Sequence, residues 1–568
     1  MVAYLYIKPV VLAMSKSPAF SENIRPASLD DPMYYLHNFQ WVLDWVSDRH
    51  GDLLSSDEHQ SVSQFKELPL ASRGLMVRMV MRKGELFRAD KLHYQELGCT
   101  RQAVEPLLAL EWVSRESSLD LKALFRLFTW VEVRQLAPEA TAGHRTKGQA
   151  LETLLETSPS LVTPCPSPVY RLTIMALCDR FRLMFFGNGH QDWSEFVLSE
   201  LGTYRYEQVL FTRESRPFHR REEVDTYLQL RACRERFYEE QPLNEVVASL
   251  PTIDSSNPWL CAARDRLVFK IAREYERAGE LGDARALYQN CHYPGARARQ
   301  LRVLERLGAW QEAFTLAQVA AQGPESEAEH QQVQRLLPRL RRNLGLAATP
   351  KISAMAPETF ELQLPFAPVV ELAVASHLGS DAAPVYYVEN SLISGLFGLL
   401  FWDAIFAPIP GAFFHPFQRS PADLHWPDFR ERRADLLEQG FEHLRRGTHG
   451  PIIRRRFADK HGLQCVFVWW EGLSEDLLNN ALDIIPAEHL TLHFQRILRD
   501  IKSNTAGFPD LIQFWPDQKR YRMIEVKGPG DRLQDNQKRW LTYFAQHDIP
   551  ASVCYVSWQS VNGASNRS

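Results

Sequence analysis

The sequence predicts a multidomain chain in which mostly helical N-terminal and middle regions are followed by an α/β domain. Three observations point to this. The length of 568 residues allows about four domains. Apolar residues recur at helical spacing through the first half, and two glycine-led segments, Gly279 to Ala284 and Gly308 to Ala313, each follow one helix and begin another. Near the C-terminus, Leu511 to Trp515 and Tyr521 to Lys527 read as two strands joined by a polar turn over Pro516 to Arg520, with a helix after them.

Composition narrows the class. Hydrophobic content of 45% and charged content of 24% are those of a soluble globular protein. A net charge of −4 means that any nucleic-acid contact must come from local basic patches. The eight cysteines are scattered without a C-x-x-C pair, which argues against a zinc site or a disulfide scaffold and suits a reducing cytosol. Met1 to Ala13 is apolar but interrupted by Lys8-Pro9 and lacks a basic start, so no membrane span is expected there or elsewhere. Met14 is an alternative start, and residues 1–30 are read as an extension.

Residues 31–118 are expected to form helices over 32–50, 60–83 and 91–97. Arg78 and Arg82 fall one turn apart on one face, with Lys83 beside them. Short helices with basic ends suit a helix-turn-helix or winged-helix DNA-binding unit; a helical bundle with a solvated basic face suits them equally. Residues 119–157 pair two helical stretches across Pro138 and Gly143, the shape of a SAP-like DNA-binding module, with Arg134, His144, Arg145 and Lys147 as phosphate contacts. Thr157 to Pro168 reads as a Pro- and Ser-rich loop opening a helical connecting region, 158–257.

The glycine-led segments are 29 residues apart, short of the roughly 34 of a tetratricopeptide repeat. Residues 258–346 are therefore read as degenerate tetratricopeptide-like repeats, a surface open to a protein partner. Arg335, Arg339, Arg341 and Arg342 form its basic end, and 347–372 reads as a linker. Residues 373–560 make the last domain. In it Glu389 precedes an apolar helix over 392–406, and Arg454-Arg455-Arg456 is either a solvated face or a phosphate-backbone clamp.

The strand pair carries the chemistry. Side chains alternate along a strand, so Glu525 and Lys527 share a face, and hairpin pairing returns Asp510 beside them. Clustered carboxylates repel one another unless a divalent cation sits between them, and oxygen ligands suit Mg²⁺ or Mn²⁺. A lysine there can orient water or neutralise charge on a phosphate. Gly528-Pro529-Gly530 makes a sharp turn. Asp531, with Gln534 three residues on, is expected to cap a helix that brings Gln537 and Trp540 toward the sheet.

Pro509-Asp510 followed by Glu525-Val526-Lys527 resembles the PD-(D/E)xK nuclease signature. The longer strings Gly507-Phe508-Pro509-Asp510-Leu511 and Glu525 to Leu533 resemble the VRR (virus-type replication-repair) nuclease domain, and within it the Fanconi-associated structure-specific nuclease, in a bacterial member. The resemblance implies an α/β PD-(D/E)xK domain that holds two Mg²⁺ or Mn²⁺ ions on Asp510, Glu525, the Val526 carbonyl and Glu389. Glu389 stands in Glu-Asn-Ser, where the family has Glu-Gly-Ser. Lys527 would orient the attacking water, and Gln537 would position the lysine or the phosphate. The implied function is 5′-flap endonuclease and 5′-3′ exonuclease action on branched or 5′-flap DNA in repair, including interstrand crosslink repair. It implies a cytoplasmic, nucleoid-associated bacterial protein without a ubiquitin-binding zinc finger. A Holliday-junction-resolving nuclease of the same fold and a non-catalytic branched-DNA adaptor are the alternatives.

Overall fold

The computed structural model describes residues 30–200, 204–254, 256–348 and 357–559. The N-terminal extension, including the alternative start at Met14, and residues 349–356 of the expected linker lie outside the described residues.

Helices at Tyr34–His50, Ser56–Glu67, Leu70–Val80 and Thr100–Ala109 pack through Tyr35, Phe39, Trp45, Phe65 and Leu75. The helical stretch expected over 60–83 divides at Leu68-Pro69. Proline lacks the N–H that would continue the ladder, and it holds the residue before it extended. Residues 91–97 form no α-helix; 3₁₀ turns at Ala89–Lys91 and Gln95–Leu97 replace it.

A three-stranded antiparallel sheet joins this bundle. Its strands are β1 (Leu86–Arg88), β2 (Val113–Asp120) and β3 (Val162–Leu172), in the order β1-β3-β2. The expected loop over 157–168 is thus largely strand. Its prolines are tolerated because β1 pairs only with Val169 to Arg171, so the proline-bearing half of β3 has β2 alone as neighbour, at a register shift. Between β2 and β3, short helices enclose a small separate core around Leu124, Phe128, Val133 and Leu154.

The middle region consists of antiparallel helix pairs, Pro258–Ala278 with Leu281–Gln289 and Ala296–Arg306 with Trp310–Gln322, followed by Glu327–Asn343. Gly279 and Gly308 have φ of +86° and +72°, so the small residue at each turn supplies a left-handed conformation. One apolar core runs from Tyr35 to Val303 and takes in Phe417 of the last domain, crossing the boundary expected at 257/258.

The C-terminal domain begins earlier than expected. Strand β4 (Glu358–Leu364) and helix α1 (Val370–Leu378) occupy the stretch read as linker. As an edge strand β4 exposes much of its side-chain row, so it lacks the apolar run that marks a buried strand. β5 (Val385–Tyr387), helix α2 (Leu392–Leu400), β6 (Leu511–Trp515), β7 (Arg520–Lys527), helix α3 (Asp535–Gln546) and β8 (Ala551–Trp558) complete the layers. The sheet order is β4-β8-β7-β6-β5, with β8 parallel to both neighbours and β6 antiparallel to both of its own. One face buries Leu511, Ile524 and Val526 against Val374 of α1; the other buries Ile512, Phe514, Tyr521 and Met523 in the larger core that includes α2 and α3.

The apolar helix expected over 392–406 stops at Leu400 and resumes at Trp402–Ile405. A Cβ on Gly398 would come within 2.8 Å of the Phe467 Cβ, so glycine here lets the 465–471 loop sit directly on α2. The last helix of the middle region docks on the same domain: Arg335 pairs with both Asp535 oxygens at 2.7 and 2.8 Å, and Glu327 accepts from Arg496 at 2.5 Å.

Candidate active site

The β6–β7 register settles the geometry. Leu511 pairs with Ile524 and Trp515 with Arg520, so Asp510 lies one step beyond the ladder, opposite Glu525. By strand alternation Asp510 shares the face of Ile512 and Phe514, while Glu525 and Lys527 share that of Tyr521 and Met523. It is the same face, and its apolar residues end where the three charged ones begin. Val526 is the intervening residue; its N–H donates to Asp510 Oδ2 at 2.8 Å.

All three charged side chains are buried. Lys527 Nζ lies 2.7 Å from Glu525 Oε1. Neither buried Glu525 oxygen has a hydrogen-bond partner of good geometry, so this close ion pair leaves the carboxylate under-satisfied. Burial, then the Asp510 charge, pushes the Glu525 carboxyl up to about 8, against the pull of Lys527. Burial raises Asp510 to about 6, against the Val526 N–H and Lys527. A divalent cation would resolve this frustration. Hard carboxylate oxygens, with the Val526 backbone between Glu525 and Lys527, are a donor set that suits Mg²⁺ or Mn²⁺.

Glu389 follows β5. Val388 N–H donates to the Asp510 carbonyl at 2.8 Å, which sets Glu389 alongside the hairpin. Its charge raises the proton affinity of both Asp510 and Glu525. The side chain is exposed and accepts from the Tyr387 hydroxyl at 2.5 Å. Among the described residues no three Asp, Glu, His or Cys side chains are gathered tightly enough to hold one ion. Asn390 has φ +54°, in the region that favours glycine, which explains how it can replace glycine in the motif. Its Oδ1 also accepts from Gly507 N–H at 2.7 Å and Phe508 N–H at 3.2 Å, tying the Glu389 segment to the approach of Asp510.

Gln537 does not reach Lys527 through the hydrogen bonds it makes. Gln534, not Asp531, caps α3, and Gln537 Oε1 accepts from the Gln534 N–H at 2.8 Å in a capping box. Asp531 instead accepts from Gly528 N–H at 3.1 Å, closing the turn. Sequence reading missed three contributors: Tyr387, Asn390, and Glu371 in the first turn of α1, whose charge also raises Asp510. A lone glutamate opening a helix carries no distinctive sequence signal.

Several basic candidates are engaged within the fold. Arg78 donates to Glu96 at 2.6 Å and covers the Tyr35 ring; Lys147 donates to the Phe128 carbonyl at 2.7 Å. Arg454 bonds Asn479 and Asp483, each at 2.7 Å, and Arg456 bonds the Leu399 carbonyl at 3.0 Å and Asp403 at 2.5 Å. Each of these four has a protein partner distant in sequence. Arg82, Lys83, Arg134 and Arg455 are exposed.

A mixed sheet flanked by helices, with Asp510 opposite a Glu-x-Lys strand end, defines a nuclease of the PD-(D/E)xK class. Residues 444–558 match the VRR-NUC domain, and residues 33–114 match the HTH domain of FAN1. The chain is 50% identical over 547 residues to the Fanconi-associated nuclease 1 homolog of Pseudomonas aeruginosa, covering 94% of this chain and 98% of that protein. The homolog of Schizosaccharomyces pombe is 24% identical, covering 92% and 91%. A crystal structure of paFAN1 bound to 2nt 5′flap DNA with gap superposes with a TM-score of 0.91 at 50% identity, covering 94% of this chain and all of that one. A second, with a 1nt 5′flap, gives 0.88. The chain belongs to the Fanconi-associated nuclease 1 family.

Proposed function

We infer that this chain is a divalent-metal-dependent, structure-specific DNA nuclease that hydrolyses phosphodiester bonds at 5′ flaps and related branches in DNA repair. The observation that carries the reading is the under-satisfied Glu525 carboxylate, buried beside Asp510 and Lys527 at the end of one sheet face. Asp510, Glu525 and the Val526 carbonyl would hold one Mg²⁺ or Mn²⁺, with Glu389 and Asp510 forming a second position. The bound cations supply positive charge where the attacked phosphate gains negative charge. Lys527 orients the water whose oxygen attacks phosphorus as one P–O bond breaks. Glu525 sets the position of Lys527 through their ion pair. Glu389 accepts from the Tyr387 hydroxyl through Oε2, which leaves its other lone pairs available to a cation. The exposed Arg82, Lys83, Arg134 and Arg455 are the cations best placed to meet a DNA backbone. The helical pairs of 258–343 offer a surface for a protein partner. Among the described residues no helix is long and apolar enough to cross a membrane. Because its proposed substrate is DNA, we assign the protein to the cytoplasm, at the nucleoid.

End-labelled 5′-flap, 3′-flap and four-way-junction DNA, incubated with Mg²⁺, Mn²⁺ or EDTA, test this reading. Cleavage at the 5′ flap that EDTA abolishes is expected. Cleavage of the junction alone would favour a resolvase, and no cleavage with either metal would favour an adaptor.

A further inference from the structure

A cavity of about 550 Å³ opens beside the candidate active site, with Glu389, Ser394, Arg419, Gln464, Trp469 and Glu471 in its wall. Two adjacent tryptophans differ sharply there. Trp470 is anchored, its indole N–H donating to the Leu463 carbonyl at 2.8 Å and its ring against His461 and Phe457. Trp469 is 55% exposed. Its ring lies on Gly472, where an added Cβ would come within 2.3 Å of Cε3 and 2.7 Å of Cζ3. Gly472 thus fixes the ring from one side. The supporting loop is held against α2 at Gly398, so the ring stands on a rigid base.

The cavity is chemically mixed. Ser394 is buried and its hydroxyl has no hydrogen-bond partner, while Gln464 and Arg419 add polar groups to the wall. Glu389 and Glu471 make it unfavourable for a phosphate. A neutral, flat group with polar edges satisfies every one of these features, and a cavity of this size is in the range that holds a small ligand. Aromatic faces serve single-stranded nucleic acid as stacking platforms, and a base can reach one only when it is out of its duplex.

We propose that this cavity takes one unpaired nucleobase of the flapped DNA, stacked on Trp469 next to the phosphate that is cut. The proposal rests on the nuclease reading above and adds a base subsite to it. Glu389 belongs to both the cavity wall and the metal-binding set, so the captured base and the scissile phosphate lie within the same short stretch of strand. Such a subsite would distinguish a flap from continuous duplex without reading sequence.

The test uses the full chain, Mg²⁺ and 5′-flap DNA carrying one abasic nucleotide, scanned through the flap and the junction, with wild type, Trp469→Ala, Trp469→Phe and Gly472→Ala. One position should lower wild-type kcat/KM about tenfold, the scale of a single base–aromatic stack. Trp469→Ala should lose about tenfold on intact DNA and nothing more at that abasic position. Trp469→Phe should recover most of the loss, and Gly472→Ala, which displaces the ring, should resemble Trp469→Ala. A flat wild-type scan, or losses that multiply, would overturn the base subsite while leaving the nuclease reading intact; this is also the result expected if the cavity serves a protein side chain. No cleavage of any flap by wild type would overturn both.

Discussion

Two buried acid–base clusters in the C-terminal domain look alike in sequence and differ completely in structure. Asp423 is fully buried; Arg433 meets its two oxygens at 2.9 Å each, Arg432 adds a contact at 2.5 Å, and Arg433 Nε donates to the Ala404 carbonyl. Every strong donor and acceptor there is used. Glu525 is equally buried, yet among the described residues its ion-pair partner is Lys527 alone, and its neighbour Asp510 is another carboxylate. The first cluster locks the 404–433 segment. The second places two carboxyls beside one lysine, and burial raises the proton affinity of both. A saturated buried pair is scaffold, whereas an under-satisfied one is a binding site with its energetic cost borne by the rest of the fold.

The largest expected effect separates the clusters by what they do. Asp510→Ala or Lys527→Ala should lower 5′-flap cleavage by at least about 10³-fold, with flap binding near wild type in both and the unfolding midpoint near wild type in Asp510→Ala; full activity in either would remove the assignment. Asp423→Ala should do the opposite, costing about 3–5 kcal/mol in denaturant unfolding by stranding Arg433, while the folded fraction cuts at a near-normal rate.

A pH series sharpens the contrast. The folded-state values of Asp510 and Glu525 are raised to about 6 and about 8, so the metal-free folded chain binds protons more tightly than the unfolded chain. This contribution to stability is present at low pH and falls as pH rises from the ordinary carboxylate range toward 8. Glu525→Gln should flatten that fall in thermal melts without metal. Mg²⁺ should stabilise wild type more at pH 8 than at pH 6, because binding needs ionised carboxylates; a shift independent of pH would count against these ligands. The smallest effect is expected for Tyr387→Phe, which removes one hydrogen bond to Glu389 Oε2. The metal concentration for half-maximal cleavage should change by about threefold or less, about the scale of one hydrogen bond, with little change in rate at saturating metal.

The site was legible from sequence to different depths. Asp510, Glu525 and Lys527 were legible because a hairpin is local: period-two alternation and one turn determine which side chains meet. Glu389 and Val526 came only from the family resemblance. Tyr387, Asn390 and Glu371 gave no signal, since each acts through a neighbour that pairing alone brings close. Gln537 gave a mixed signal, because a glutamine three residues after a cap serves the helix as readily as a site, and here its Oε1 accepts from the Gln534 N–H. The basic candidates divided for the same reason: nothing in the strings around Arg78 or Arg456 announces Glu96, the Leu399 carbonyl or Asp403.

By itself the sequence determined the order of helical regions before an α/β domain, the glycine-terminated helices of the middle region, and the hairpin of Asp510, Glu525 and Lys527, all of which follow from interactions within a few turns or strands. Tertiary structure alone decided that the chain before residue 373 supplies an edge strand, that four of the eight candidate cations are bound within the fold, and that Glu525 is buried with one lysine and a second carboxylate. Those outcomes depend on which distant groups are packed together. Burial removes the water that would otherwise satisfy each charge, and the protein neighbours that replace it are set by the fold rather than by adjacent residues.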